Sequence, residues 1–180
     1  MTGTHVTTEA RDVVFTRRFE APPALVYRAW TDPQMMAAWF GPETFTTTAV
    51  MDVRPGGAFT LTMHGAGMNG EDSGDYPIDG VFTEVVENAC LVMEMRASRH
   101  PQAWHDFIRA KYLELGGLPE AYSSGPITTR ITFVAQDGGT LLTVRQTFPT
   151  SALRDAHVSL GNAQGWSQSF DKLDRLLESR

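Results

Sequence analysis

From Phe45 to Phe148 the apolar residues keep returning at every second position, and this is what most restricts the fold. Phe59, Leu61 and Met63 alternate with Thr60, Thr62 and His64. Ile131 and Phe133 alternate with Arg130 and Thr132. Leu142, Val144, Gln146 and Phe148 alternate with Leu141, Thr143, Arg145 and Thr147. A period of two over many short segments describes antiparallel strands with one face covered and the other wet. Turn residues sit between them at Arg54-Pro55-Gly56-Gly57, from Gly65-Ala66-Gly67 to Gly74, and at Asp137-Gly138-Gly139. The period then changes. Trp166, Phe170, Leu173 and Leu177 fall at i, i+4, i+7 and i+11, one continuous helical stripe. Such a helix needs a partner surface, and the sheet's apolar face supplies it. The class is α+β.

The rest of the chain fits around that plan. Val13, Phe15 and Phe19 share one side of a strand over residues 12–20, which Ala21-Pro22-Pro23 ends because proline cannot donate to a ladder. Leu25, Val26, Ala29 and Trp30 form a first helical stripe. Asp32 is placed to cap a second short helix, with Pro33 at its first position and Met35, Met36, Trp39 and Phe40 along it. Pro101 opens a further helical stretch carrying Trp104, Phe107, Ile108, Tyr112 and Leu115, which Gly116-Gly117 closes. This insertion, about 98–126, is too long for a hairpin connection. Thr150 or Ser151 caps a helical tail whose first half is weakened by Gly161 and Gly165. The 180 residues suit one domain, expected over 12–178, with 1–11 as a flexible N-terminus.

Composition excludes several chemistries. Fifteen basic against 21 acidic residues leave a net charge of −6, and the basic residues are scattered, so nucleic acid is not an expected partner. No run is long and apolar enough for a membrane span. A single cysteine and a polar start without an apolar leader lead us to expect a cytoplasmic protein. His100 and His105 lie about 140° apart around a helix, a poor metal pair, so no metal or other cofactor is expected and these histidines read as surface or singly bonded groups. Cys90 sits in an apolar strand and reads as a small hydrophobe rather than a nucleophile. Gly65 to Gly70 imitates a phosphate loop, but Glu71 and Asp72 follow it and no helix does. By alternation His64, Arg130 and Arg145 face water. Gln146 faces inward, either as a structural hydrogen bonder or as a hook for a ligand.

The run Arg18-Phe19-Glu20-Ala21-Pro22-Pro23-Ala24-Leu25-Val26-Tyr27-Arg28-Ala29-Trp30-Thr31-Asp32-Pro33, followed by Ala38-Trp39-Phe40-Gly41-Pro42, resembles the opening of the family named for activators of the heat-shock protein 90 ATPase. Arg54-Pro55-Gly56-Gly57, Asp79-Gly80-Val81-Phe82-Thr83-Glu84-Val85 and Gly165-Trp166 with Leu173 and Leu176-Leu177 extend the resemblance over nearly the whole chain. It implies the helix-grip fold of the SRPBCC superfamily, which START domains and birch-pollen-allergen-like proteins share. There a curved antiparallel sheet wraps a long C-terminal helix, with a ligand cavity between them. The insertion departs from the family pattern, whose members join these strands briefly. Its apolar stripe leads us to expect a lid over the cavity or the contact face of a homodimer.

Aromatic and methionine side chains exceed what a sheet-on-helix contact requires. Trp39, Phe59, Leu61, Met63, Phe82, Met93 and Met95 are the cavity candidates from the first half of the domain. Trp104, Phe107, Phe133, Gln146, Trp166 and Phe170 are those from the second. Each is equally a core residue by pattern alone. The expected function is binding of a small hydrophobic or aromatic molecule without a cofactor, and no catalytic residue is assigned. The resemblance also admits a polyketide cyclase or hydrolase on the same scaffold, and chaperone ATPase regulation or a stress response.

Overall fold

The computed structural model describes residues 3–66 and 73–180, so the loop read at Gly67 to Asp72 lies outside the described residues. The alternating segments become β3 (Thr46–Met51), β4 (Ala58–Ala66), β5 (Ser73–Val86), β6 (Cys90–Arg96), β7 (Ile127–Gln136) and β8 (Gly139–Thr147). Ahead of them come β1 (His5–Glu9), β2 (Asp12–Phe19), α1 (Pro23–Thr31) and α2 (Pro33–Trp39). All eight strands pair antiparallel in one curved sheet, in the order β1-β2-β8-β7-β6-β5-β4-β3. The helices α1 and α2 therefore carry the chain from β2, beside β8, to the far edge at β3. Asp32 does cap α2, accepting hydrogen bonds from the backbone N–H of Gln34 at 2.9 Å and of Met35 at 3.1 Å.

Three expectations need correction. Residues 5–9, read as part of a flexible arm, form edge strand β1, because Val6 to Glu9 align with Phe15 to Asp12 in a hairpin register. The helical tail is two helices, α4 (Ser151–Ser159) and α5 (Asn162–Glu178). Thr150 caps α4 by accepting from the N–H of Leu153 at 3.1 Å, and Gly161 breaks the run at φ +94°, a left-handed conformation that glycine adopts without a steric penalty. The third concerns α3 (Gln102–Glu114), which packs against α4. Only Ile108 and Tyr112 of its stripe are buried, whereas Phe107 and Leu115 remain 37% and 42% exposed. The nine-residue α4 is too short to cover the full stripe.

The grip itself is aromatic and ionic. Trp166 and Phe170 of α5 meet Phe15 of β2 at ring distances of 5.7 and 6.4 Å, and Trp166 stacks on Trp30 of α1 at 6.0 Å. Arg17 follows Phe15 on the same inward side of β2, with its side chain only 2% exposed. Its guanidinium donates to Asp171 at 2.6 Å and to Asp174, both on α5. An inward arginine was not foreseen, because the alternation marks the covered face without saying that carboxylates would be waiting there. Gly80 permits another close approach: a Cβ there would lie 2.4 Å from the Phe59 ring, which covers the strand in place of a side chain.

Candidate functional site

Between the covered face of the sheet and the α4–α5 junction lies a cavity of about 440 Å³. Strands β4 to β8 form its floor, the segment from Phe40 to Phe45 forms one wall, and His100, Trp104 and His157 form another. Five of the expected residues border it: Met63, Met95, Trp104, Gln146 and Trp166. The other eight do not. Trp39, Phe59, Leu61, Phe82, Met93, Phe133 and Phe170 are buried in the continuous core, and Phe107 turns toward water. The physical reason is position along the sheet. Trp39 and Phe170 fill the contact between α2 and α5, at a ring distance of 6.4 Å, and Phe133 packs under Tyr27 at 5.4 Å. The period of a strand reveals which face is covered, but not where along that face the helices stop touching it.

Gln146 is a structural hydrogen bonder. Its Oε1 accepts from Trp166 Nε1 and from Asn162 Nδ2, each at 3.1 Å, so it ties β8 to α5. Its Nε2 lies 3.5 Å from Thr129 Oγ1, a long contact that leaves the second amide hydrogen free. Asn162 Oδ1 is buried with no partner among the described residues. The Gln146–Asn162 pair thus makes one polar pole in a cavity otherwise walled by Phe40, Phe45, Met63, Tyr76, Met95 and Trp166.

A second polar group of the cavity was missed. His157 lies on α4 and borders the cavity, between Trp104 at 5.4 Å and Phe148 at 5.0 Å by ring distance. It is half-buried, and desolvation among these rings pulls its pKa from 6.5 down to about 3, with the neighbouring His100 adding to the effect. His100 packs against the same tryptophan, 4.6 Å from the Trp104 ring. Its pKa falls to about 4, chiefly through burial, then through His105, while Asp79 opposes the shift. Both ring nitrogens of His100 are buried without a partner among the described residues, so the reading of His100 as a surface or singly bonded group is corrected. A signal for His157 existed: with Leu153 and Ala156, both buried, it falls at i, i+3 and i+4 on the inner face of α4.

The wall from Phe40 to Phe45 is held by α5. Ser169 Oγ accepts from the N–H of Gly41 at 3.1 Å, Gln168 Oε1 accepts from the N–H of Glu43 at 3.2 Å, and Arg175 pairs with Glu43 at 2.8 Å. Lys172 Nζ donates to the carbonyls of Gly41 and Phe45, both at 3.3 Å. Elsewhere, His64 bridges Thr48 and Asp75 at 3.1 and 2.7 Å on the outer face of the sheet. Arg130 and Arg145 also face outward, as the alternation requires, and pair with Glu84 and with Glu9 and Asp12. Cys90 is buried, and burial raises its pKa, which suits an inert thiol. Among the described residues no group of three or more His, Cys, Asp or Glu side chains is placed to hold a metal, and no helix is long and apolar enough to cross a membrane.

A curved antiparallel sheet closed over a C-terminal helix, with an apolar cavity between them, defines a helix-grip protein. The family model of the activator of Hsp90 ATPase homolog 1-like proteins matches residues 20–178, and the chain belongs to that family. Solved structures agree on the fold. Protein Ms6760 from Mycobacterium smegmatis is 24% identical, with 98% of both chains covered and a TM-score of 0.77. Protein NE0264 from Nitrosomonas europaea is 22% identical, covering 96% of this chain and 97% of its own, at a TM-score of 0.72. CV1439 from Chromobacterium violaceum is 25% identical over 93% of this chain and 97% of its own, at 0.67. No curated protein matches the chain.

Proposed function

We propose that the protein binds one small, largely apolar molecule in the cavity between its sheet and α5. The observation that carries this reading is the cavity itself: about 440 Å³, walled by aromatic rings and methionines, with a few polar groups among them. That volume lies within the ~300–1,000 Å³ usual for small-molecule sites, and that lining is their usual composition. Methionine side chains adapt to the outline of a ligand at little cost. The cyclase-like alternative gains less support, since it would want convergent charged groups. The two histidines of the cavity are neutral near pH 7, and no carboxylate is among the described residues lining it.

The test is saturable binding of 1-aminoanthracene, an uncharged fluorescent probe, to the full chain. One site per chain is expected, with binding weakened at least ten-fold in Met63→Trp, whose larger ring would occupy the cavity. Probe fluorescence that rises without saturating, or that ignores Met63→Trp, would overturn the reading.

A further inference from the structure

The polar pole beside Trp104 is more specific than an apolar cavity requires. Two imidazoles flank one indole, and His157 makes no hydrogen bond with any described residue although it borders the cavity. A neutral imidazole carries one N–H donor and one lone-pair acceptor. Both ring nitrogens of the neighbouring His100 are buried without a partner among the described residues, a cost in free energy that a ligand group able to donate or accept would recover. This requirement narrows the chemistry. An ammonium would want a carboxylate, and none lines the cavity among the described residues. A carboxylate would want a cation, and the one charged side chain among the described lining residues, Arg96, belongs to an exposed residue. A carbonyl only accepts, so it could meet the N–H of one imidazole but not the lone pair of the other. A hydroxyl both donates and accepts, and so can serve one ring's lone pair and the other ring's N–H. A hydroxyl on an aromatic ring donates more strongly than an aliphatic one, and its ring suits walls built from Trp104, Trp166, Phe45 and Tyr76.

We propose that the ligand is an uncharged aromatic molecule bearing a hydroxyl group, its ring lying along Trp104 and its hydroxyl hydrogen-bonded to the free imidazole of His157. This rests on the cavity being a ligand site, and it adds the ligand's chemical class and the residue that selects it. His100, with both ring nitrogens buried and unpartnered among the described residues, serves as the second member of the pole. Gln146 and Asn162, also in the lining, offer a donor and an acceptor to a further substituent.

The experiment compares 2-naphthol, 2-methoxynaphthalene and 2-naphthoate at pH 7.5, read by calorimetry or by quenching of Trp104 and Trp166 fluorescence. The wild type should bind 2-naphthol about ten-fold more tightly than the methyl ether, the worth of one neutral hydrogen bond in a dry site. His157→Phe should erase that preference while holding the methyl ether within about two-fold, and His157→Gln, which keeps an acceptor and a donor, should restore part of it. Equal affinity for naphthol and ether in the wild type overturns the hydroxyl anchor and leaves the apolar cavity standing. Tighter binding of 2-naphthoate also overturns it, by showing that the site reads an anion. If none of the three binds, the cavity reading itself fails. The wild-type comparison decides the matter even if a His157 variant does not fold.

Discussion

Acid should unfold this protein through two histidines, and the size of the effect follows from their burial. His100 and His157 hold pKa values of about 4 and about 3 when folded, against about 6.5 in an unfolded chain. Their folded values are lowered, so below pH 6.5 the unfolded state takes up protons that the folded state refuses. Stability is full above that pH and falls as the solution is acidified toward the folded values. Each such group costs about 1.4 kcal/mol per pH unit once it is well below its unfolded pKa. Between pH 7.5 and 5 this amounts to about 2 kcal/mol for each histidine and about 4 kcal/mol for the pair. Asp79, held low chiefly by its hydrogen bond from Arg99, makes its own loss only below the ordinary carboxylate range and stays outside that window. Urea denaturation at several pH values measures the slope. His100→Phe/His157→Phe should lose about 4 kcal/mol less than the wild type over the same interval. Parallel curves for the two proteins would refute the burial argument, because the difference between them isolates the two imidazoles.

Trp166→Ala should destabilise the fold by about 3–5 kcal/mol, toward the lower end because one side of the ring already faces the cavity, and the urea midpoint will show it. Arg17→Ala should cost about 3 kcal/mol, since it strands Asp174 beneath α5 without its cation; a loss that disappears in 1 M salt would mark the pair as a screened surface contact instead. Gly161→Ala should cost about 1 kcal/mol from backbone conformation alone, because nothing lies within 4 Å of the added Cβ, and thermal denaturation would reveal a larger loss if the α4–α5 corner were crowded.

The alternation from Phe45 to Phe148 and the stripe from Trp166 to Leu177 made the sheet, its covered face and the gripping helix readable before any coordinates. They did so because both are consequences of local periodicity meeting one hydrophobic boundary. The cavity is a different kind of object. It exists where Trp166 and the α4–α5 corner stop short of the floor made by Met63, Ile78 and Met95, and that gap depends on how three separate elements are spaced. Phe59, Phe82 and Met93 share the pattern of Met63 and Met95, yet they lie in packed core. Gln146 was legible as an inward polar group because its strand neighbours are apolar. His157 was hidden by the break at Gly161, which turns α4 away from the α5 stripe and gives it an inner face of its own.

That break and the insertion act together. The stretch from His100 to Leu115 was expected to be a lid or a dimer face, yet only Trp104 of the α3 stripe borders the cavity, while Ile108 and Tyr112 are buried where α3 packs on α4. Tyr112 also donates to the carbonyl of Leu118 at 3.0 Å, which fixes the return of the chain toward β7. The insertion is thus a buttress: it supplies His100 and Trp104 directly, and by bracing α4 it sets His157 against the same indole. Removing it would take away one residue of each kind from the polar pole and loosen the third. The segment from His100 to Leu115 therefore brings an imidazole and an indole to the cavity wall, whereas the sheet and α5 supply most of its apolar lining.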